Sequence, residues 1–270
     1  MKLKTWIVFL GAIIAIGAVI GVYFGVGVSW IGLGVVVGAA LLSYVLGAVG
    51  AAPDDHTTGF GEFMRGWLVG FNAALNALLA MTLVGLFAPI LPAALVGTGL
   101  GLLGLLCVFS PISQGEFYQG VVGWTTWLMP MSWLVVGLGL TFYLICLLGH
   151  AVTAGKVAYL RVEKAAFDWK TATFFLKGGL ISNMNPIETA FNMGNFAFID
   201  YKSTDDEESE EALIEHEAGH TLNLAAFGSL FHLIGALDEN VLRRGVNAFS
   251  ERLAESNVPG TAITHIPMWA

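Results

Sequence analysis

Three long stretches of this chain, residues 5–53, 66–115 and 117–155, contain no Asp, Glu, Lys or Arg. A membrane-spanning helix needs about 20 predominantly apolar residues. The first two stretches therefore each accommodate a pair of spans joined by a tight turn. The pattern places them near 5–25 and 29–51, then near 66–88 and 91–110, with Pro89 and Pro92 marking the second turn. The third stretch holds one span, near 131–153. Residues 117–129 are too short to cross and end at Pro130, and Trp124, Trp127 and Trp133 around them predict an interfacial or re-entrant segment. The pattern as a whole predicts an α-helical transmembrane bundle of about five spans, with four to six allowed.

From residue 156 the pattern changes. Val157–Leu160 reads as extended, and Trp169, Thr171, Thr173 and Phe175 alternate along one face before a turn at Gly178-Gly179. Asn183–Pro186 reads as another turn and Gly194–Asp200 as a short strand. Six acids in the seven residues Asp205–Glu211 predict a solvated loop entering a helix, since carboxylates favour a helix N-terminus, with Ser203 or Thr204 as its cap. A helix follows from Ala212 to Phe227, and a second from about 240 to 256. The expected organisation is a transmembrane helical domain over 1–155 and a small α+β domain over 156–270.

Composition sharpens this picture. The chain is 56% hydrophobic and only 12% charged, too little polar surface to wet a globule all round, so lipid is the natural solvent for part of it. Of its 12 basic and 20 acidic residues, most lie after 155, and no basic footprint for nucleic acid is present. Lys2 and Lys4 precede an apolar run that lacks a small-x-small cleavage site, which predicts a retained anchor. They place the N-terminus on the cytoplasmic side, and Lys156, Arg161 and Lys164 do the same for the C-terminal part, although five spans would separate the two. Cys107 and Cys146 sit in apolar runs and read as packing residues. The glycines from Gly97 to Gly104 lie within a span and read as a helix-packing surface rather than a phosphate loop.

The chemistry is concentrated in His216-Glu217-Ala218-Gly219-His220. Histidines four apart project from one helix face, so their imidazoles reach one Zn²⁺ at about 2.0–2.1 Å. Glu217, the next residue along, lies beside the metal without binding it, placed to take a proton from an activated water and pass it to a leaving amine. A catalytic zinc keeps three protein ligands and one open position. Position 226 is Ala226, which excludes a third histidine six residues beyond the motif. The candidates are Glu251 on the second helix, Glu239 or Asp238 in the connection, and His232. His232, Arg243 and Arg244 are the possible stabilisers of a developing oxyanion.

The run His216–Asn223, followed by Gly228 and then Glu251-Arg252-Leu253-Ala254-Glu255, resembles the glutamate zincins (gluzincins) of HExxH…ExxAD type. These include the membrane-embedded CAAX prenyl-protein peptidases. The resemblance covers about 40 residues. It implies a zincin-like metallopeptidase domain with His216, His220 and Glu251 on zinc, Glu217 as general base, and a histidine-orienting role for Glu255, which stands where the family carries Asp. It also implies a substrate-binding strand edge, for which Gly194–Ile199 is the candidate, with Asn195 facing the cleft. The expected partners are a lipid bilayer and a peptide or membrane-protein substrate. A second resemblance, to the HExGH…G motif of site-2 proteases, implies cleavage within the bilayer. A rival from another class is a non-catalytic membrane scaffold with a structural zinc site, closed by four protein ligands such as His232 and Glu251 together with the motif histidines.

Overall fold

The computed structural model describes residues 59–109, 115–184, 190–200, 207–241, 245 and 248–258, with Gly38 and Leu42. The spans expected near 5–25 and 29–51 therefore lie outside the described residues. The helices are α1 (Gly59–Gly85), α2 (Ile90–Gly104), α3 (Glu116–Thr125), α4 (Trp133–Thr153), α5 (Leu180–Met184), α6 (Glu207–Asn240) and α7 (Phe249–Glu255). The strands are β1 (Val162–Asp168), β2 (Thr173–Gly178), β3 (Ala190–Asn192) and β4 (Phe196–Ile199). The protein is thus mostly helical with one small mixed sheet.

Four helical segments among the described residues are long and apolar enough to cross a membrane: Arg65–Gly85, Ile90–Val108, Pro130–Thr153 and Glu210–Asn240. The first three match the spans read from charge-free runs. The fourth carries the HExxH motif itself and was not counted as a span. Glycine packing joins the first two. A Cβ on Gly97 would lie 2.6 Å from the Ala77 carbonyl, and one on Gly104 3.2 Å from the Ala73 Cα, so these glycines let α2 lie directly on α1. Both cysteines are free and buried.

The sheet runs in the order β1-β2-β4-β3, with β2 and β4 parallel and the two outer pairs antiparallel. Gly178 and Gly179, with φ of 79° and 92°, form the turn that leaves β2, as the sequence predicts. Two differences concern the flanks. Ala158–Leu160 is a single 3₁₀ turn rather than a strand. Trp169 and Thr171 belong to the β1–β2 turn, where Asp168 accepts hydrogen bonds from Lys170 and Thr171, so their alternation reflects a tight turn and not a pleat. Trp127 also departs from its expected membrane-boundary role: it packs edge-on against Phe174 and Phe196 in the core.

Apolar packing runs continuously across residue 155. One cluster joins Leu68, Val69 and Phe71 of α1 to Leu222 and Phe227 of α6 and Leu253 of α7. Another joins Val135, Val136 and Cys146 of α4 to Leu176, Phe196 and Phe198 of the sheet and Leu224 of α6. The motif helix is thereby held between apolar helices and sheet.

α6 extends well beyond Phe227, because Ser229–Asn240 remains a good apolar helix former. It does so through a kink at Gly228, whose φ of 78° and ψ of 177° belong to glycine alone. The buried Asn72 of α1 reaches this break, its Nδ2 donating to the carbonyls of Ala225 (3.3 Å) and Ala226 (3.1 Å). A Cβ at 228 would fall 2.5 Å from Asn72 Oδ1 and 3.2 Å from the Met131 Cβ. Gly228→Ala is therefore expected to cost about 1–3 kcal/mol in backbone strain and a comparable amount, about 1–3 kcal/mol, in overpacking. Thermal unfolding of the detergent-solubilised protein measures it as a lowered midpoint.

Candidate metal centre

His216 and His220 lie on one face of α6, four residues apart, with Nε2 atoms 3.2 Å from each other and rings at 79°. Two imidazolium N–H groups cannot face each other at that distance, so at least one nitrogen turns a lone pair inward. Glu251 enters from α7 and places Oε2 3.1 Å from His216 Nε2 and Oε1 3.3 Å from His220 Nε2. One ligand atom from each of the three residues lies within 4.8 Å of the others, and no other such group occurs among the described residues. Ligand atoms about 2.0–2.1 Å from a tetrahedral zinc stand roughly 3.3 Å apart. The 3.2 Å between the two histidine nitrogens matches that spacing, and Glu251 approaches them through different oxygens, at 3.1 and 3.3 Å.

The surrounding groups orient the ligands. Glu255, one turn beyond Glu251 on α7, places Oε2 2.9 Å from His216 Nδ1. With a metal bound, that hydrogen bond would keep the proton on Nδ1 and leave the Nε2 lone pair for the ion. The Glu255 side chain is long enough to reach His216 directly. Burial pushes the Glu251 carboxyl up, but His220 and His216 more than offset it and hold it well below the usual carboxylate range. The carboxylate is ionised at neutral pH. This contribution to stability exists above the group's ordinary pKa and is lost only as pH falls through the depressed value.

Small residues bring α7 close enough. A Cβ on Gly219 would lie 2.6 Å from the Ala254 carbonyl and 2.8 Å from the Ala254 Cα, so the glycine within HExxH is the surface against which α7 packs. Gly235 serves the same end after the kink, 2.6 Å from Ser250 Oγ by the same measure. It lies within α6, not in a connection. Asn257 Nδ2 donates to the Glu215 carbonyl (2.8 Å), fastening the end of α7 to the start of the motif.

Glu217 is buried, and its turn is clamped to the sheet. Asn192 Nδ2 donates to the Glu217 carbonyl (2.9 Å) and to Thr221 Oγ1 (3.1 Å). Thr221 donates in turn to the Gly194 carbonyl (2.7 Å) and accepts from Thr173 of β2 (2.9 Å). The helix turn that carries the general-base candidate is thus tied to β2, β3 and the β3–β4 turn.

The other sequence candidates are placed elsewhere. Asp238 and Glu239 occupy the last turn of α6 and are not members of the three-residue group. His232 Nε2 donates to the Asn192 carbonyl (2.8 Å), and its ring is 6.1 Å from that of His220, so it borders the cluster without entering it. Arg243 and Arg244 lie outside the described residues. Of the acidic run, Glu210 forms ion pairs with Lys164 (2.6 Å) and Lys177 (2.8 Å), docking the helix start on β1 and β2.

The expectation for Asn195 is corrected. It is fully buried in the β3–β4 turn, donating to the Ala172 carbonyl (3.0 Å) and accepting from Thr126 Oγ1 (2.6 Å), so it ties the turn to the end of α3 and faces no cleft. Nor is β4 an edge. It lies between β2 and β3, and among the described residues β1 and β3 are the outer strands.

No family model, curated protein or solved structure matches this chain. The arrangement of its own residues carries the functional reading. Asn192, Gly219, Ala254 and Asn257 were missed as contributors to it. Only the small residues inside HEAGH and ERLAE, at positions where a helix pair would touch, offered a signal.

Proposed function

We propose that this chain is a membrane-bound zinc endopeptidase that hydrolyses peptide bonds of membrane-associated proteins, with its apolar helices in the bilayer and a zincin-like arrangement built from the sheet, α6 and α7. The observation that carries the proposal is the convergence of His216, His220 and Glu251 on one point beside the buried Glu217.

A bound zinc ion would supply Lewis acidity, polarising the scissile carbonyl and acidifying the attacking water. Glu217 takes the water proton and delivers it to the leaving amine, and the clamp from Asn192 keeps that carboxylate's helix turn in place. Glu255 holds His216 in the tautomer that presents Nε2. Lys156, Arg161 and Lys164 favour a cytoplasmic position for this part of the chain.

Among the described residues three protein donors converge, which leaves a fourth position for water or substrate and supports a catalytic over a structural zinc site. One observation favours the site-2-like alternative: the motif helix is itself apolar and long enough to cross a membrane. Against it, the third donor comes from α7, a short helix close behind α6, and not from a later span.

The purified, detergent-solubilised chain is expected to contain zinc at one ion per chain and to cleave casein. A strong chelator should abolish cleavage, and added Zn²⁺ should restore it. Metal analysis alongside the protease assay checks both. A chain that folds without retaining zinc at neutral pH would remove the basis of the proposal.

A further inference from the structure

Large aromatic side chains gather on the surface where α3 meets the β1–β2 turn. Trp169 in that turn is 70% exposed, Phe117 in the first turn of α3 is 88% exposed, and Trp124 near the end of α3 is 42% exposed. The ring of Trp124 lies 5.4 Å from that of Trp169 and 5.6 Å from that of Phe167, and Phe167 lies 4.8 Å from Trp169. The backbone beneath these rings is fixed. A Cβ on Gly123 would collide with the Thr171 carbonyl, and one on Gly120 would lie 3.3 Å from the Lys170 carbonyl, so the turn rests directly on α3. Adjoining apolar rings held this firmly on a surface mark a place where something other than water is met.

Two observations say that it is lipid. The patch continues along the chain into Leu128, Trp133 and Leu134, all exposed, and the last two open the exposed face of the membrane-length segment Pro130–Thr153. The first turn of a spanning helix stands at a bilayer boundary, where the amphipathic rings of Trp are favoured. The neighbouring charges are arranged accordingly. Lys170 Nζ pairs with Glu116 (2.9 Å), and Asp168 accepts from the backbone N–H groups of Lys170 and Thr171. These charges have partners within the patch, which lowers the cost of bringing them against a headgroup layer.

We propose that Phe117, Trp124 and Trp169 enter the headgroup–acyl boundary of the bilayer, which makes the β1–β2 turn of the sheet a membrane anchor in addition to the spans. The anchor fixes the depth of the metal-binding group. Thr221, next after His220, donates to the Gly194 carbonyl (2.7 Å), and a Cβ on Gly194 would lie 3.0 Å from Val136 Cγ2. Val136 is three residues beyond Trp133, about 5 Å along the helix axis at roughly 1.5 Å per residue. The His220 end of the motif is thereby held near the lipid boundary and not at the bilayer centre. The proposal rests on the membrane placement of α4 and is independent of the peptidase reading.

The test uses the full chain in phosphatidylcholine vesicles. Cys107 and Cys146 are buried, so a cysteine introduced on the surface is the one that takes a fluorescent maleimide. Labels are attached in Trp169→Cys, in Phe117→Cys and, as a mid-span reference, in Leu144→Cys on the exposed face of α4. The quenchers are iodide in the water and lipids carrying a nitroxide either near the headgroup or near the chain end. The labels at 169 and 117 are expected to lose most of their emission to the shallow nitroxide and little to iodide. The label at 144 should lose most to the deep one. Strong iodide quenching at either 169 or 117, or stronger quenching there by the deep nitroxide, overturns the anchor. Protection from all three quenchers, the result if a second copy or another protein covered the patch, also overturns it. A reference label that the deep nitroxide leaves bright removes the membrane placement of α4, and the anchor with it. Zinc content and casein cleavage are separate readouts, so each of these failures leaves the peptidase reading standing.

Discussion

Replacing Glu217 by Gln is expected to reduce proteolysis by about 10²- to 10⁴-fold while leaving zinc content unchanged, the range for loss of a positioned proton carrier. Gln matches Glu in shape, so the buried side chain is replaced without a change in volume. The amide cannot accept the proton of the attacking water or return one to the leaving amine. The separation of the two readouts is the informative part. Glu217 lies outside the group of three converging donors, so metal retention does not depend on its charge. Casein cleavage rates and metal analysis on the same preparation check the prediction. A variant that loses zinc together with activity would make Glu217 a ligand, and one that keeps full activity would end its role as base.

The second large effect is expected from Glu251→Ala. Glu251 contacts both histidine Nε2 atoms, at 3.1 and 3.3 Å, and its removal takes away one of three donors. Loss of a residue that merely orients a ligand lowers metal affinity about 10- to 100-fold, and loss of a ligand should exceed that. Zinc retention after dialysis against a calibrated chelator measures the change. Replacement of Asp238 or Glu239, which lie outside the cluster, is expected to leave retention at the wild-type level. Equal zinc retention in Glu251→Ala and wild type would exclude α7 as the source of the third ligand. Truncation also removes the carboxylate that favours protonated imidazoles, so the two histidines face each other across an emptier space and at least one must stay neutral.

Much of the architecture was legible because two physical rules act locally. Charge-free runs of more than about 20 residues leave few choices other than apolar helices, and three helices, ending at Gly85, Val108 and Thr153, occupy the second and third runs. Period-four spacing forces His216 and His220 onto one helix face wherever that helix lies. The strand from Phe196 to Ile199 was visible for a similar reason, as a short apolar run next to a Gly-Asn turn. The errors arose where a local pattern had two meanings. Asn195 has the composition of either a turn or a ligand-facing residue, and only its bonds to Thr126 and Ala172 select the first. The motif helix, expected over Ala212 to Phe227, runs on past Gly228. Asn72, from a helix some 150 residues earlier, instead caps the broken ladder and allows the helix to resume.

The sequence by itself determined the membrane-length apolar helices, the paired histidines with their adjacent carboxylate, and the shortlist of third donors. Each of these follows from spacing within a dozen or two consecutive residues. Only the tertiary structure decided among the donors, made β3 rather than β4 an outer strand, and set His232 against it. The choice of donor depends on how closely α7 approaches α6, and that approach is governed by the absence of a side chain at Gly219 opposite Ala254. Strand order, likewise, is a matter of which distant segments share hydrogen bonds, and no periodicity within one segment encodes its neighbour.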